Sequence, residues 1–443
     1  MSPCPRVARF ARCILALTLM LFGAVPASAQ SFRSPTPPGG AHRYVPGEVL
    51  IKFRPTARAA DRAAVRASLN ARPIHDFDFI QVEHLEIRGL SVEQAMARLR
   101  NHPHVEYVEP NYEIYADVIP NDPRFPDLYG MRNTGQTGGT SGADIKATLA
   151  WDQFTGDPNL KIGVIDTGVD YNHPDLAANV WTNPGEIPGN SIDDDGNGYV
   201  DDIHGYDFVN NDGDPMDDNG HGSHCSGTIA GVGNNNIGVV GVNWNLKVVG
   251  IKFLSAGGSG STAGAIAGVN YAIAVGVRLT SNSWGGGGFS QALKDAIDRA
   301  GAANILFIAA AGNSAVNCDG GSSCYPAEYS SANIIAVASI TSSGALSSFS
   351  NFGATTIDLG APGSGIVSTV PQGRGKNINS GYASYSGTSM ATPHVTGAAA
   401  LYAASHPGAS ATQIKSAIMA AAVWTSSLNG RVLRNGRLNA SGF

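Results

Sequence analysis

Charged side chains are scarce: Asp, Glu, Lys and Arg make up 14% of the 443 residues. Hydrophobic residues make up 43%, so the chain can fill a large core, and this balance excludes wholesale disorder. Basic residues are outnumbered, 29 against 35 acidic, for a formal net charge of -6. A nucleic-acid partner calls for the opposite balance, so none is expected. Beyond the N-terminal segment no apolar run approaches the ~20 residues of a spanning helix, so no stable membrane anchor is expected. Glycine is plentiful, at 55 residues, but has no three-residue period, which excludes a collagen-like chain. The length allows two or three folded units at roughly 150 residues each.

The scarcity of cations is local. No Lys or Arg lies between Lys161 and Lys247, while ten Asp residues fall from Asp193 to Asp218. Crowded carboxylates without a cation repel one another, which points to a bound metal. Residues 1–29 carry Arg6, Arg9 and Arg12, then an apolar run from Cys13 to Val25, then Ala27-Ser28-Ala29. That order of basic, apolar and small residues reads as a secretory signal. The run is short for a membrane span.

Cysteine is rare too, at five residues. Cys4 and Cys13 leave with the signal. Export permits disulfides, and Cys318 and Cys324 flank a Gly-rich loop they can close into a small ring. Cys225 is left over, in an apolar stretch of small residues where a thiol is usually buried and free.

Residues 30–43 are rich in Pro, Gly and Ser and read as a leader. Residues 45–115 read as a small α+β unit of ferredoxin-like size, roughly βαβαβ with room for an extra strand. Its strands are expected at Glu48–Phe53, Asp78–Arg88 and Val105–Tyr115, and its helices at Thr56–Asn70 and Ser91–Arg100. Residues 117–145 read as loop. From Asp157 onward short apolar runs alternate with helical stretches: Lys161–Ile165, Leu246–Phe253, Leu279–Trp284, Ile305–Ala310 and Ile334–Ala338. This is the pattern of a parallel sheet covered on both faces.

Four strings carry chemistry. Val164-Ile165-Asp166-Thr167-Gly168 places an acid at the end of a buried strand. Asn219-Gly220-His221-Gly222-Ser223-His224 places histidines at a Gly-rich helix start. Ala311-Gly312-Asn313-Ser314 puts an amide just past another strand, and Gly387-Thr388-Ser389-Met390-Ala391 puts a serine before a long small-residue helix. Taken singly, each also fits a turn or a helix cap. In the order Asp, His, Asn, Ser on a parallel α/β scaffold, the chain from about Asn121 to Ala440 resembles the subtilisin-like serine proteases, the subtilases (peptidase family S8). The resemblance implies a three-layer subtilisin-like parallel sheet flanked by helices. It makes Asp166 the orienting acid, His221 the general base, Ser389 the nucleophile and Asn313 an oxyanion donor. Those roles are chemically apt. A Ser hydroxyl is a weak nucleophile that needs a base, and an imidazole of pKa near ~6.5 can take and return its proton at neutral pH.

The resemblance also implies that Gly258-Ser259-Gly260 and Ser283-Trp284-Gly285 pair with an extended substrate, with Ala311 and Gly312 on the pocket before the cut. Cys324 then sits at that pocket's wall, where a bridge to Cys318 stiffens the rim. His224 and His394 read as packing residues. Asp193, Asp195 and Asn197, followed by a Gly turn, resemble the start of a calcium loop. The twelfth position is His204 rather than Glu, so Asp201 or Asp202 is expected to close the shell of a structural Ca2+ site, with Tyr199 counted among its residues; a solvated acidic loop is the competing reading. Residues 30–116 resemble leader plus inhibitory prosegment, and 117–443 the catalytic domain; a permanent accessory domain is the competing reading of the former. The expectation is a secreted endopeptidase, extracellular or periplasmic, that is monomeric, is made as a self-processed precursor and acts on protein or peptide substrates. Two alternatives are a non-catalytic peptide-binding relative and a calcium-dependent adhesion protein.

Overall fold

A computed structural model of the chain describes residues 44–112, 118–372 and 381–443. The signal segment 1–29 and the tail after Tyr112 fall outside the described residues. The N-terminal unit runs β1 (Tyr44–Phe53), α1 (Ala59–Ser68), β2 (Arg72–Phe77), β3 (Val82–Glu86), α2 (Val92–Leu99) and β4 (Val105–Tyr112). Its four strands form an antiparallel sheet in the order β2-β3-β1-β4. Val49, Ile51 and Phe53 alternate along β1 and pack with Leu85, Val65, Ala95 and Leu99 in one core. The single strand expected over Asp78–Arg88 is shorter. A turn at Asp78–Gln81 separates β3 from the extra strand β2, whose largely exposed side chains leave little apolar signal in the sequence.

The larger unit contains α3 (Ala147–Trp151), β5 (Lys161–Asp166), β6 (Gly205–Asp207), α4 (His221–Ala230), β7 (Lys247–Lys252), α5 (Thr262–Val275), β8 (Leu279–Asn282), α6 (Gln291–Ala302), β9 (Leu306–Ala310), β10 (Ile334–Ile340), β11 (Leu359–Pro362), β12 (Ile366–Thr369), β13 (Tyr382–Tyr385), α7 (Thr388–Ser405), α8 (Ala411–Ala421), β14 (Val423–Trp424) and β15 (Gly436–Arg437). The main sheet has the order β14-β15-β11-β10-β9-β8-β5-β7-β6. Every pairing in it is parallel except that of β14 with β15.

Alternation along the strands divides the core between two faces. Ile162 and Val164 of β5 and Leu306 and Ile308 of β9 join one cluster with residues of α4, α7 and α8. Ile165, Phe307 and Ala309 point the other way, into a cluster with α5 and α6. The strand order reverses at β5, with β8 on one side and β7 on the other. In open parallel sheets the crevice at such a switch point, past the carboxyl ends of the strands, is where ligands bind. Asp166 is the last residue of β5.

Candidate active site

The fold brings the four motifs to that crevice. Asp166 ends β5 fully buried, and His221 opens α4. The two meet at 2.7 Å, His221 Nδ1 to Asp166 Oδ1, and Thr167 N–H also donates to Oδ1 at 2.7 Å. This contact requires α4 to approach the turn after β5 closely. A Cβ at Gly222 would lie 2.1 Å from Gly168 O, so only glycine fits there. Gly168 itself has φ of 111°, outside the comfortable range of other residues. Burial works to lower the His221 pKa, but the Asp166 charge and hydrogen bond, aided by the Asp217 charge, raise it above the ordinary imidazole value.

Ser389 is the second residue of α7, an 18-residue helix buried along most of its length. Its small residues let it run through the middle of the molecule; at Gly397 a Cβ would fall 2.5 Å from Val242 Cβ. Ser389 Oγ donates to Ser283 O at 3.0 Å, and among the described residues no hydrogen bond joins it to His221. Such bonds often tighten only when substrate binds. Ser283 returns a bond from its own hydroxyl to Ser389 O at 2.9 Å, which ties the strand end of β8 to the start of α7.

Asn313 follows β9. Its Oδ1 accepts from Thr388 N at 2.8 Å and from Thr388 Oγ1 at 3.0 Å. That fixes the amide orientation, and among the described residues Nδ2 is left as the donor not used. The position a Cβ would take at Gly387 lies 3.5 Å from Asn313 Nδ2 and 3.6 Å from Ser389 N. Two N–H donors therefore border one small open space beside the serine, the arrangement needed to hold a developing oxyanion.

A cleft of about 520 Å³ opens beside His221. Gly258, Ser259, Gly260, Ser283, Trp284 and Gly285 all line it, with Leu254, Ala265 and Leu293 at its apolar floor. Trp284 is held edge-on by Phe253, with ring centroids 5.0 Å apart. Ala311 and Gly312 lie outside this lining; Ala311 N bonds Val337 O and Gly312 N bonds Thr388 Oγ1. Cys318 and Cys324 form a disulfide, and Cys225 is free and fully buried, its Sγ 3.5 Å from Ser389 O.

The acidic insertion folds on itself. Glu186, Asp193 and Asp195 each offer a carboxylate oxygen within 4.8 Å of the others. Asp193 accepts from Asn197 N and Gly198 N, and Asn197 Nδ2 reaches Asp195 and Asp202. Asp201 instead caps the turn at residues 189–191, accepting from Gly189, Asn190 and Ser191 N–H groups. Asp202 is buried under Tyr271, whose hydroxyl donates to it at 2.6 Å. The Tyr199 ring packs among Tyr206, Phe208 and Tyr271. Sequence reasoning missed Glu186, which lies before the Asp run. It also missed Asp122 and Asp175, two buried carboxylates joined to the 234–239 loop. Burial above all raises Asp175 to about 6, and the Asp122 charge adds to it. The Asn run 234–236 was the available signal.

Comparison with known proteins decides the family. The subtilase family, Peptidase_S8, matches residues 157–443. The chain belongs to the subtilases. Residues 32–111 match a fervidolysin-type N-terminal prodomain. A thermophilic serine proteinase of Bacillus sp. (strain AK1) is 35% identical over 90% of this chain and 87% of its own length. Thermitase of Thermoactinomyces vulgaris is 38% identical over 72% of this chain and 97% of its own. This subtilase is a serine peptidase with an N-terminal prodomain. Among the described residues no helix is long and apolar enough to cross a membrane.

Proposed function

We propose that the chain is an exported endopeptidase that cuts peptide bonds with Asp166, His221 and Ser389, made as a precursor that processes itself. The observation that carries this is the 2.7 Å contact of His221 with buried Asp166, at the switch-point strand, beside the Ser389 and Asn313 donors. In this reading Ser389 Oγ turns from Ser283 O toward His221 Nε2 and gives up its proton as it attacks the scissile carbonyl. Asp166 holds the imidazole tautomer and stabilises the imidazolium. Asn313 Nδ2 and Ser389 N take the oxyanion. His221 then returns the proton to the leaving amine, and water enters by the reverse path. Backbone at Gly258–Gly260 and Ser283–Gly285 pairs with an extended substrate.

The prodomain is the intramolecular inhibitor of the same cleft in this reading, and residues 1–29 direct export, to the periplasm or beyond. Calcium is the proposed structural ion. The donors are all oxygens, as a hard cation prefers, and the stretch between Lys161 and Lys247 that supplies the first site holds no Lys or Arg. Glu186, Asp193, Asp195 and Asn197 would hold one ion. Asp122 and Asp175 would hold another: Asp122 Oδ1 is buried without a partner among the described residues. The ion would offset carboxylate repulsion and supply no step of hydrolysis.

Intact mass of wild type beside Ser389→Ala, with fluorophosphonate labelling, tests this. Wild type that loses residues up to about position 116 and is labelled, while the variant keeps them, supports the reading. A variant that matures alone and cleaves peptides refutes it.

A further inference from the structure

Asp217 lies between the two halves of the site and is only 1% exposed. Its Oδ1 accepts from Thr167 Oγ1 at 2.9 Å, Asn219 N at 3.0 Å and Gly220 N at 2.8 Å; its Oδ2 accepts from Ser223 N at 2.8 Å. Three of those donors are backbone groups around the start of α4, flanking His221. The fourth belongs to the residue that follows Asp166. Thr167 completes the link, since its Oγ1 also accepts from Gly222 N at 2.9 Å and its own N–H donates to Asp166. One buried carboxylate thus joins the end of β5 to the first turn of the helix that carries the base.

We propose that Asp217 is a positioning residue for peptide hydrolysis: it clamps the first turn of α4 to Thr167, and so sets the distance and angle at which His221 meets Asp166. The inference rests on the triad reading above and names a residue that the triad leaves out. An ionised carboxylate with four donors suits this task because each charge-assisted bond is strong and directional. Replacing Asp217 by Asn keeps its shape but turns one oxygen into a donor. That NH2 must then face either Ser223 N–H or the three donors at Oδ1, so at least one bond becomes a clash of donors.

The charge acts on His221 as well. Among the described residues, Asp166 from β5 and Asp217 from the loop before α4 act on this imidazole, His224 and Cys225 share its helix, and the Tyr385 hydroxyl of β13 lies near Gly220; Asp218, Lys252 of β7 and His394 of α7 belong to the groups around these residues. Lys252 Nζ is engaged by Asp218 at 2.6 Å and by the carbonyls of Thr167 and Leu254. Burial keeps His224 and His394 neutral by lowering their pKa values, and keeps Cys225 neutral by raising its own. Tyr385 is likewise raised, first by burial and then by the Asp217 charge. Asp166 and Asp217 are therefore the two anions that favour the imidazolium.

The test compares wild type with Asp217→Asn, Thr167→Val and Thr167→Ser, reading kcat, KM, the acid limb of kcat/KM and the melting temperature. Asp217→Asn is expected to lower kcat about tenfold or more, as small misplacements of a base do, with little change in KM. Its acid limb should move to lower pH. Thr167→Val should lower kcat while leaving the acid limb near that of wild type, because the Asp217 charge stays, and Thr167→Ser should restore kcat. A purely structural role lowers the melting temperature and leaves the pH midpoint and kcat alone; that result overturns the proposal. If Asp217→Asn does not fold, Thr167→Val with the kcat of Thr167→Ser overturns it. Fluorophosphonate labelling of Ser389 in wild type separates the two readings. Labelled Ser389 with an insensitive Asp217→Asn refutes the clamp alone, and unlabelled Ser389 refutes the triad and the clamp together.

Discussion

Acidification should unfold this protein through two histidines that take no part in catalysis. His224 is fully buried; its Nε2 donates to Ile366 O at 3.0 Å and Ala383 O at 3.2 Å, while its Nδ1 has no partner among the described residues. Burial above all brings its pKa down to about 3. His394, also buried, donates from Nδ1 to Met390 O at 2.9 Å, and burial brings it to about 4. In the unfolded chain both return to about 6.5. A folded pKa below the unfolded one means that the unfolded chain binds more protons between the two values. Stability is therefore complete above about pH 6.5 and is lost as pH falls toward 4. Two protons give a slope of about 2.7 kcal/mol per pH unit, so two units would remove much of the ~5–15 kcal/mol that holds an ordinary domain. His173, lowered by burial, adds in the same direction, whereas His221, raised overall, and Asp175, raised to about 6, work against it. The assay is guanidinium unfolding of Ser389→Ala, which avoids self-digestion, at steps from pH 7 to 5. Adding His394→Asn, which keeps a donor for Met390 O, should lower the slope by about 1.4 kcal/mol per pH unit, the share of one proton. A stability that is flat from pH 6.5 to 5, or the same slope with and without His394, would refute the reasoning.

Two further outcomes are expected. Chelation with EDTA should lower the melting temperature, with about 2.7 kcal/mol lost for one site previously held at a hundred times its Kd, while labelling of Ser389 at room temperature persists; unchanged melting would remove calcium from the account. The double variant Cys318→Ser/Cys324→Ser should cost about 2 kcal/mol for so short a loop and alter the preference for the residue before the cut. Asn351 Nδ2 lies 3.6 Å from Cys324 Sγ and 2.9 Å from Ala311 O, so loosening the bridge reaches the Asn313 turn. Peptide profiles identical to wild type would show that the bridge leaves the pocket alone.

The strands around the site were legible because almost all of their residues are buried. Past Lys161, the run to Ile165 is continuously apolar, as are Ile305–Ala310 and Ile334–Ala338, and sheets covered on both faces produce such runs. The antiparallel β2 was not, since its face is largely exposed and leaves no alternation to read. The disulfide followed from the spacing of Cys318 and Cys324, because a short loop keeps both thiols in reach.

Order along the chain determined which residue types stand at strand ends and helix starts, and so Asp166, His221, Asn313 and Ser389 could be named from local pattern. Their distances could not. Asp166 and His221 are 55 residues apart in the chain, and their contact depends on Gly222 admitting Gly168 O. The acidic loop shows the same limit. Its run of Asp was plain, but only packing decides that Asp201 caps a turn, that Asp202 lies under Tyr271 and that Glu186 joins Asp193 and Asp195. Asp217 looked like one more member of that run. Its four donors come from both sides of the crevice, and a hydrogen bond is a matter of distance in space that composition and spacing do not encode.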